Sequence, residues 1–207
     1  MSNTPQAAPR RVGVHFDGDL RGALVQAAVE ALDEHGADQV SLRDVARRAG
    51  VSHAAPAHHF GDKPGLLTAV ATQGFDLFTA GLGAALAATA DAGPVDQFAA
   101  LGRAYAAFAE QRPGHFEVMF RPALIRTDDP DYGRASGRAF AALHDQIAAC
   151  QRRGWRADAD TASLAAAAWA FAHGLATLRL TGSLTRHFPD PTLDGVSTLV
   201  TTLINDH

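Results

Sequence analysis

A cluster of basic and imidazole side chains between positions 39 and 63 has the chemistry of a surface that contacts a polyanion. Arginine and lysine pair with phosphate oxygens, and an imidazole ring can exchange hydrogen bonds with base edges or phosphates. The segment has four basic residues against two acidic ones, whereas the whole chain has a formal net charge of −4. Because this local excess is modest, we expect a protein that uses it on DNA to bind as a dimer. The residues are Arg43, Arg47, Arg48 and Lys63, Asp44 and Asp62, and the histidines His53, His58 and His59.

Two short predicted helices joined by a tight turn position these side chains. Ser41 is a good N-cap for the first helix, and Asp44 three residues later completes a pattern similar to a capping box. Gly50 can adopt the left-handed conformation that ends a helix. The apolar face of this helix is formed at helical spacing by Leu42, Val45, Ala46 and Ala49. The pattern predicts the first half of a helix-turn-helix.

The second predicted helix contains a proline. Ser52 is expected to cap it, and it is expected to run from His53 to about Phe60. Pro56 falls near the fourth helical position, where it removes a backbone hydrogen bond, so we predict a bent or 3₁₀-like helix. In the helix-turn-helix plan this second helix enters the major groove of DNA.

Helical patterns cover the rest of the chain, which predicts an all-α protein. Apolar residues recur at helical spacing, and Gly and Pro residues interrupt the pattern between segments. The predicted segments are about 19–35, 62–90, 94–111, a short one at 115–120, 131–153, 160–180 and a last helix at 193–203. Residues 1–15 are rich in Pro, Ala and polar groups and are predicted to be a disordered arm, in which Arg10 and Arg11 could reach a groove or a phosphate.

The sequence VSLRDVARRAGVS, followed by a short helix and HHFGDKPGLL, resembles the tetracycline-repressor-like (TetR) family of transcription regulators. The resemblance is strongest over residues 19–67. It departs from the family at Pro56 and Ala57, where members usually have a Leu-Tyr pair whose tyrosine hydroxyl contacts a phosphate. In the C-terminal half, Trp169, His173 and Gly174 resemble the Trp-His-Gly signature of one type of TetR ligand domain.

The resemblance implies an organisation in three parts. Residues 1–15 would be the disordered arm, 16–63 the helix-turn-helix DNA-binding domain, and 64–207 a helical-bundle ligand-binding and dimerisation domain. The last two long helices would pair with a second subunit to form a four-helix interface. The partners implied are a double-stranded DNA operator, a small-molecule effector of unknown identity and a second copy of the chain.

Candidate DNA-contacting residues lie in and around the turn. His53, Ala54 and Ala55 are in the first turn of the second helix, where base edges are read, and alanine methyls can pack on thymine methyls. The resemblance places the Ser41 hydroxyl and the side chains of His58, His59 and Lys63 on the phosphate backbone, with Arg43 and the amides of Ser52 nearby. The alternative is that these are plain surface positions on a small helical domain.

Candidate ligand contacts are the aromatic and polar side chains of the C-terminal helices. Small-molecule pockets are mostly apolar with a few polar anchors. The alternative for each residue is ordinary core packing, since aromatic stripes at helical spacing usually have that role. The candidates are Phe75, Phe78, Tyr105, Phe108, Met119, Phe120, Phe140, His144, Trp169 and His173.

Several classes of function lack support in the sequence. It contains no nucleophile elbow, glycine-rich phosphate loop or metal-spaced Cys/His cluster, so neither an enzyme nor a cofactor is expected. His53, His58 and His59 would point in different directions on a helix, so we do not predict a metal site. A single Cys150 fits a reducing compartment. No signal peptide and no uninterrupted membrane-spanning stretch are apparent, which predicts a cytoplasmic protein without a membrane partner.

Together these features predict a ligand-responsive transcription regulator, a repressor released from a palindromic operator by a small apolar or amphipathic molecule. The alternative is a helical small-molecule or protein-binding module in which DNA binding is weak or lost, because of Ala57 and the modest basic patch.

Overall fold

The computed structural model describes residues 19–184, and every regular element in that part of the chain is helical. This confirms the predicted all-α class. The predicted arm at 1–15, with Arg10 and Arg11, and the predicted last helix at 193–203 lie outside the described residues. The helices are α1 (Leu20–His35), α2 (Leu42–Arg48), α3 (Ala55–Phe60), α4 (Lys63–Ala88), α5 (Pro94–Gln111), α6 (Pro113–Met119), α7 (Pro130–Arg152) and α8 (Thr161–Leu180), with a 3₁₀ turn at Pro122–Leu124.

The N-terminal cap of α2 forms as predicted, but only half of the expected capping box is present. The Asp44 N–H donates to Ser41 Oγ at 3.2 Å. The Asp44 carboxylate, however, accepts a hydrogen bond from Arg48 Nε at 2.7 Å. Gly50 has a φ of +68°, the left-handed conformation that was expected to end α2.

Helix α3 begins later than predicted, and the prediction that Ser52 caps a helix starting at His53 is wrong. Such a helix needs an N–H at position 56 to bond the Ser52 carbonyl, and proline has none. The Ala55 N–H instead donates to that carbonyl at 3.0 Å, which is the 3₁₀-type bond that the proline led us to expect. Pro56 lies in the first turn of α3, where an N–H would have no helical partner.

Helix α4 connects the N-terminal helices to the bundle formed by α5–α8. Asp62 caps it by accepting the Gly65 N–H at 2.9 Å, and Pro64 is accommodated in the first turn. Its 26 residues extend over about 39 Å. One part of α4 packs against α1 and α3, and the remainder packs against α5, α6 and α7. The apolar core is therefore continuous across the predicted domain boundary at residue 63.

Helix α8 carries more exposed apolar surface than the sequence suggested. Trp169, Phe171, Leu178 and Leu180 are between 37% and 45% exposed. By length and composition alone, Thr161–Leu180 is also apolar enough to cross a membrane. The sequence analysis did not single it out because His173 and Arg179 interrupt the apolar run.

Candidate nucleic-acid interface and ligand cavity

The turn and helix α3 present one exposed face and one buried face. Pro56 and Phe60 point inward and are buried. The remaining side chains of this segment are exposed, apart from Val51 and Ala55, which are half-buried. Seven of the eight predicted DNA contacts outside α4 are exposed, and the eighth, Ala55, is half-buried; the seven are Ser41, Arg43, Ser52, His53, Ala54, His58 and His59. The structure therefore brings the predicted contacts onto one accessible surface.

Ion pairs divide the arginines of α2 into two kinds. Arg48 binds Glu34 at 2.7 Å and Asp44 at 2.7 Å. The hydrogen bond from Arg48, and then the one from Arg47, holds the pKa of the Asp44 carboxyl below its usual value. Arg43 forms no ion pair with any residue in the 19–184 range, so its guanidinium is the one on α2 available to a phosphate.

Two further cations flank α3. Lys63 Nζ donates to the Asp38 carbonyl at 3.2 Å, which holds this predicted phosphate contact close to the loop after α1. The Arg21 guanidinium lies over the Phe60 ring, 5.2 Å from its centroid. Sequence analysis missed Arg21 because nothing in the pattern of α1 indicates contact with the end of α3.

A cavity of about 920 Å³ lies between α4, α5, α7 and α8, and α6 closes one side of it. Its volume is in the range of small-molecule sites, and its lining is mainly aromatic and aliphatic. Eight of the ten predicted ligand contacts line it: Phe75, Phe78, Tyr105, Met119, Phe120, Phe140, Trp169 and His173.

The other two candidates, Phe108 and His144, do not line the cavity. Phe108 is buried behind Phe78, with the ring centroids 5.2 Å apart. His144 has a side chain that is 44% exposed, and its Nδ1 lies 3.6 Å from the Asp145 carboxylate. It follows Leu143, which does line the cavity, and successive helical residues point about 100° apart.

A neutral hydrogen-bonded pair forms one polar part of the cavity wall. Tyr105 Oη and His173 Nδ1 are 3.0 Å apart, and the His173 ring stacks on Phe116 with centroids 5.3 Å apart. Burial lowers the pKa of His173 and raises that of Tyr105, so both side chains are uncharged at neutral pH. In the tautomer that this contact favours, the tyrosine donates to Nδ1 and His173 Nε2 carries the proton.

Several lining residues were not predicted from the sequence. Trp155 and Arg156 belong to the loop between α7 and α8, where helical periodicity gives no information about direction. Three aromatic residues on the helices also line the cavity, namely Phe98, Tyr132 and Phe171. Their helical spacing relative to the aromatic residues that were predicted could have identified them.

Comparison with known proteins then decides the family. A family model described as bacterial regulatory proteins of the tetR family matches residues 24–70. A second, described as the tetracyclin repressor-like C-terminal domain, matches residues 98–203, which is just over half of the chain. The chain belongs to the TetR family. The resemblance found in the sequence is thereby confirmed, and the family is one of regulators and not of enzymes.

Similar proteins of known structure cover nearly the whole chain. A Rhodococcus sp. RHA1 protein of unknown function is 31% identical, with a TM-score of 0.78, over 92% of this chain and 98% of the other. The regulator FadR from Bacillus subtilis, solved with stearoyl-CoA, is 14% identical, with a TM-score of 0.70, over 89% and 97%. At that identity the second match establishes a shared fold alone.

Curated relatives match only the N-terminal helices of this TetR-family chain. The transcriptional regulator BetI of Agrobacterium fabrum is 49% identical over 47 residues, which are 23% of this chain and 23% of the relative. BetI of Stenotrophomonas maltophilia is 40% identical over 53 residues, or 26% and 27%. The chain thus aligns with about a quarter of the length of these regulators.

Proposed function

We propose that this TetR-family protein is a homodimeric, cytoplasmic transcription regulator that binds DNA and responds to a ligand. It would act as a repressor, released from a palindromic operator by a small apolar or amphipathic molecule. The main support is that an exposed helix-turn-helix face and an apolar cavity of about 920 Å³ both involve α4. Residues 16–63 would be the DNA-binding domain and 64–207 the ligand-binding and dimerisation domain.

In the proposed complex, the two copies of α3 enter successive major grooves about 34–36 Å apart or a multiple of that distance. The side chains of His53, Ala54 and Ala55, which precede or begin α3, would face base edges. None of these forms the bidentate contact that arginine makes with guanine, so part of the sequence preference would come from DNA shape.

Phosphate contacts would hold the protein in register on the duplex. Ala57 lacks the hydroxyl that family members place on a phosphate, so other groups must supply this affinity. The groups available are Ser41, Arg43, the Ser52 amide, His58, His59 and Lys63, to which we add Arg21.

Coupling between the two sites would pass through α6 as well as α4. Phe120, directly after α6, lines the cavity. Earlier in α6, the Gly114 N–H donates to Asp33 at 2.8 Å, and Glu117 accepts the Ala37 N–H at 3.1 Å. A ligand that displaces Phe120 would thus move α6 against the end of α1. A coupling free energy of about 1–3 kcal/mol between ligand binding and DNA binding would suffice, provided that the ligand prefers the arrangement that does not fit DNA.

The effector class follows from the cavity lining. Aromatic and aliphatic side chains recognise an apolar body, and the Tyr105–His173 pair recognises a neutral polar group. The Bacillus subtilis FadR structure contains stearoyl-CoA, which supports a ligand with a long apolar part in this fold. The name of that relative does not identify the effector of this chain.

A measurement of DNA binding at several salt concentrations tests the function. Purified full-length protein is titrated onto labelled DNA from upstream of its own gene, and binding is followed by fluorescence anisotropy. Specific operator binding should weaken about a thousand-fold between 50 and 200 mM salt, because phosphate contacts release counterions. The alternative, a helical binding module that has lost DNA recognition, predicts weak binding without sequence preference or no binding to any duplex.

A further inference from the structure

We propose that Arg156 binds the anionic end of an elongated amphipathic effector whose apolar body fills the cavity. This inference rests on the proposed function, because it takes the cavity to be the effector site. It adds the sign of the ligand charge, the position of its charged end and the residue that selects it.

The charge distribution around the cavity favours an anion. Arg156 is the one charged residue among the described residues that line it, and no carboxylate does so. The other polar groups there, including Tyr105 and His173, are uncharged at neutral pH. A carboxylate beside Arg156 would therefore find an opposite charge, whereas the guanidinium would repel an ammonium group placed there.

The Arg156 guanidinium is available to a ligand. It forms no hydrogen bond or ion pair with another residue of the 19–184 segment. The nearby Asp160 carboxylate is engaged, because it accepts the Ser163 N–H at 2.7 Å as the cap of α8. Arginine is well suited to this role because its planar fork binds a carboxylate through two parallel hydrogen bonds.

The backbone at Arg156 is held in an unfavourable conformation. Its φ is +46°, the one positive φ at a non-glycine residue within the described part of the chain. Gln151 maintains this loop, since its Nε2 donates to the carbonyls of Arg156 at 3.1 Å and Ala159 at 2.7 Å. Thr161 Oγ1 in turn donates to Gln151 Oε1 at 2.6 Å. Backbone strain that is maintained by several hydrogen bonds is typical of residues at binding sites.

The two polar parts of the cavity lie well apart, which indicates an elongated ligand. Trp155, next to Arg156, packs against Phe98 with ring centroids 5.9 Å apart, and Leu164 belongs to the same cluster. His173 is nine residues beyond Leu164 on α8, which is about 13 Å at the rise of an α-helix. The acidic group would bind at Arg156, and the apolar chain would extend from there toward Tyr105 and His173.

Intrinsic fluorescence reports directly on this cavity, because both tryptophans of the chain, Trp155 and Trp169, line it. Full-length protein is titrated with dodecanoate, 1-dodecanol and dodecyltrimethylammonium below their micellar concentrations. Wild type should bind dodecanoate about ten-fold more tightly than dodecanol, a difference of about 1.4 kcal/mol, and the ammonium probe least. Arg156→Gln should abolish the preference for the anion. Arg153→Gln, with the same charge change outside the cavity lining, should retain it.

Charge reversal provides the stronger test. Arg156→Glu should prefer dodecyltrimethylammonium over dodecanoate. The inference is overturned if wild type binds the three probes equally or none of them, or if Arg156→Gln and Arg153→Gln behave alike. The proposed function is judged separately, by operator binding without a probe. Release of the operator by the same concentration of dodecanoate from both wild type and Arg156→Gln would retain that function and overturn the role of Arg156.

Discussion

The histidines of this protein occupy two different environments, and their environments determine what each can do. His58 and His59 are exposed on the helix-turn-helix face, where a bound phosphate favours the protonated ring. His115 is buried and His173 is half-buried in the helical bundle, and desolvation lowers the pKa of both. We therefore propose that the first pair contacts phosphates, whereas the second pair stays neutral and shapes the interior.

Replacing His58 and His59 together by glutamine should reduce the pH dependence of operator affinity. In wild type, affinity should weaken from pH 6 to pH 8 by about ten-fold more than in the double variant, because charge-assisted phosphate contacts are lost as the rings deprotonate. Anisotropy titrations at constant ionic strength measure both slopes. Equal slopes for the two proteins would remove these histidines from the phosphate contacts.

His115 should make the stability of the fold sensitive to acid. The ring is 3% exposed, and its Nε2 lies 3.0 Å from Gln73 Oε1. Burial is the main cause of its lowered pKa, so the unfolded chain binds a proton more readily than the folded one. Its contribution to stability is therefore complete above the ordinary histidine pKa of 6.5 and is lost as the pH falls below it.

We expect His115→Gln to flatten the fall in the free energy of unfolding between pH 7 and pH 5. Urea denaturation at each pH measures this slope. His35→Gln, at an exposed position, is the control and should retain the wild-type slope. A fall of equal steepness in His115→Gln and wild type would show that this ring does not carry the effect.

Among the helices, α3 and α6 depend most on single residues. Pro56 removes the N–H that would start α3 at His53, and this makes α3 six residues long. Helix α6 contacts α1 through Gly114, whose N–H bonds Asp33, and it contacts the cavity through Met119. It thus connects the cavity wall directly with the end of α1.

Gly114→Ala should separate α6 from α1. The added Cβ would lie 2.6 Å from Asp33 Oδ1 and 2.9 Å from Leu32 Cβ, so one helix has to move. We expect a loss of about 1–3 kcal/mol in the free energy of unfolding and weaker release of the operator by ligand. Gly133→Ala in α7 is the matched control, because nothing lies within 4 Å of its Cβ, and it should be stabilising by about 0.5–1 kcal/mol. Thermal unfolding and operator-release assays measure both effects, and similar results for the two variants would contradict the close contact.

The complete regulator, as proposed, needs two copies of the chain. The exposed apolar residues of α8 are the kind of surface that a partner covers, and they include Leu178 and Leu180 at 45% and 43% exposure. A dimer would double the modest number of phosphate contacts and set the spacing of the two α3 helices.

Leu178→Glu with Leu180→Glu should convert the protein to a monomer. Charges at these positions would be buried without partners in the dimer, which is strongly unfavourable. Light scattering should give half the wild-type mass, and affinity for a full palindrome should fall by at least about a hundred-fold. Ala90→Glu, at an exposed position after α4, is the control. A double variant that remains dimeric would place the interface elsewhere.

Local patterns in the sequence were sufficient to predict the helices, most of the caps and the family. Periodicity of 3.6 residues and capping bonds three residues apart are properties of short segments, so they can be recognised without the fold. The same patterns indicated eight of the ten aromatic and polar candidates that line the cavity, because helical spacing sorts inward from outward positions. The predicted start of α3 at His53 was wrong, because the missing N–H of Pro56 delays the helix to Ala55.

Tertiary structure alone decided which side chains share the cavity and which cations surround α3. Arg21 meets Phe60 across 39 positions of the chain, and Trp155 meets Phe98 across 57. Arg156 is in a loop, where no periodicity fixes the direction of a side chain, so its place in the cavity wall depends on how α7 and α8 pack. Contacts between residues distant in sequence arise from the packing of whole helices, and no short segment encodes them.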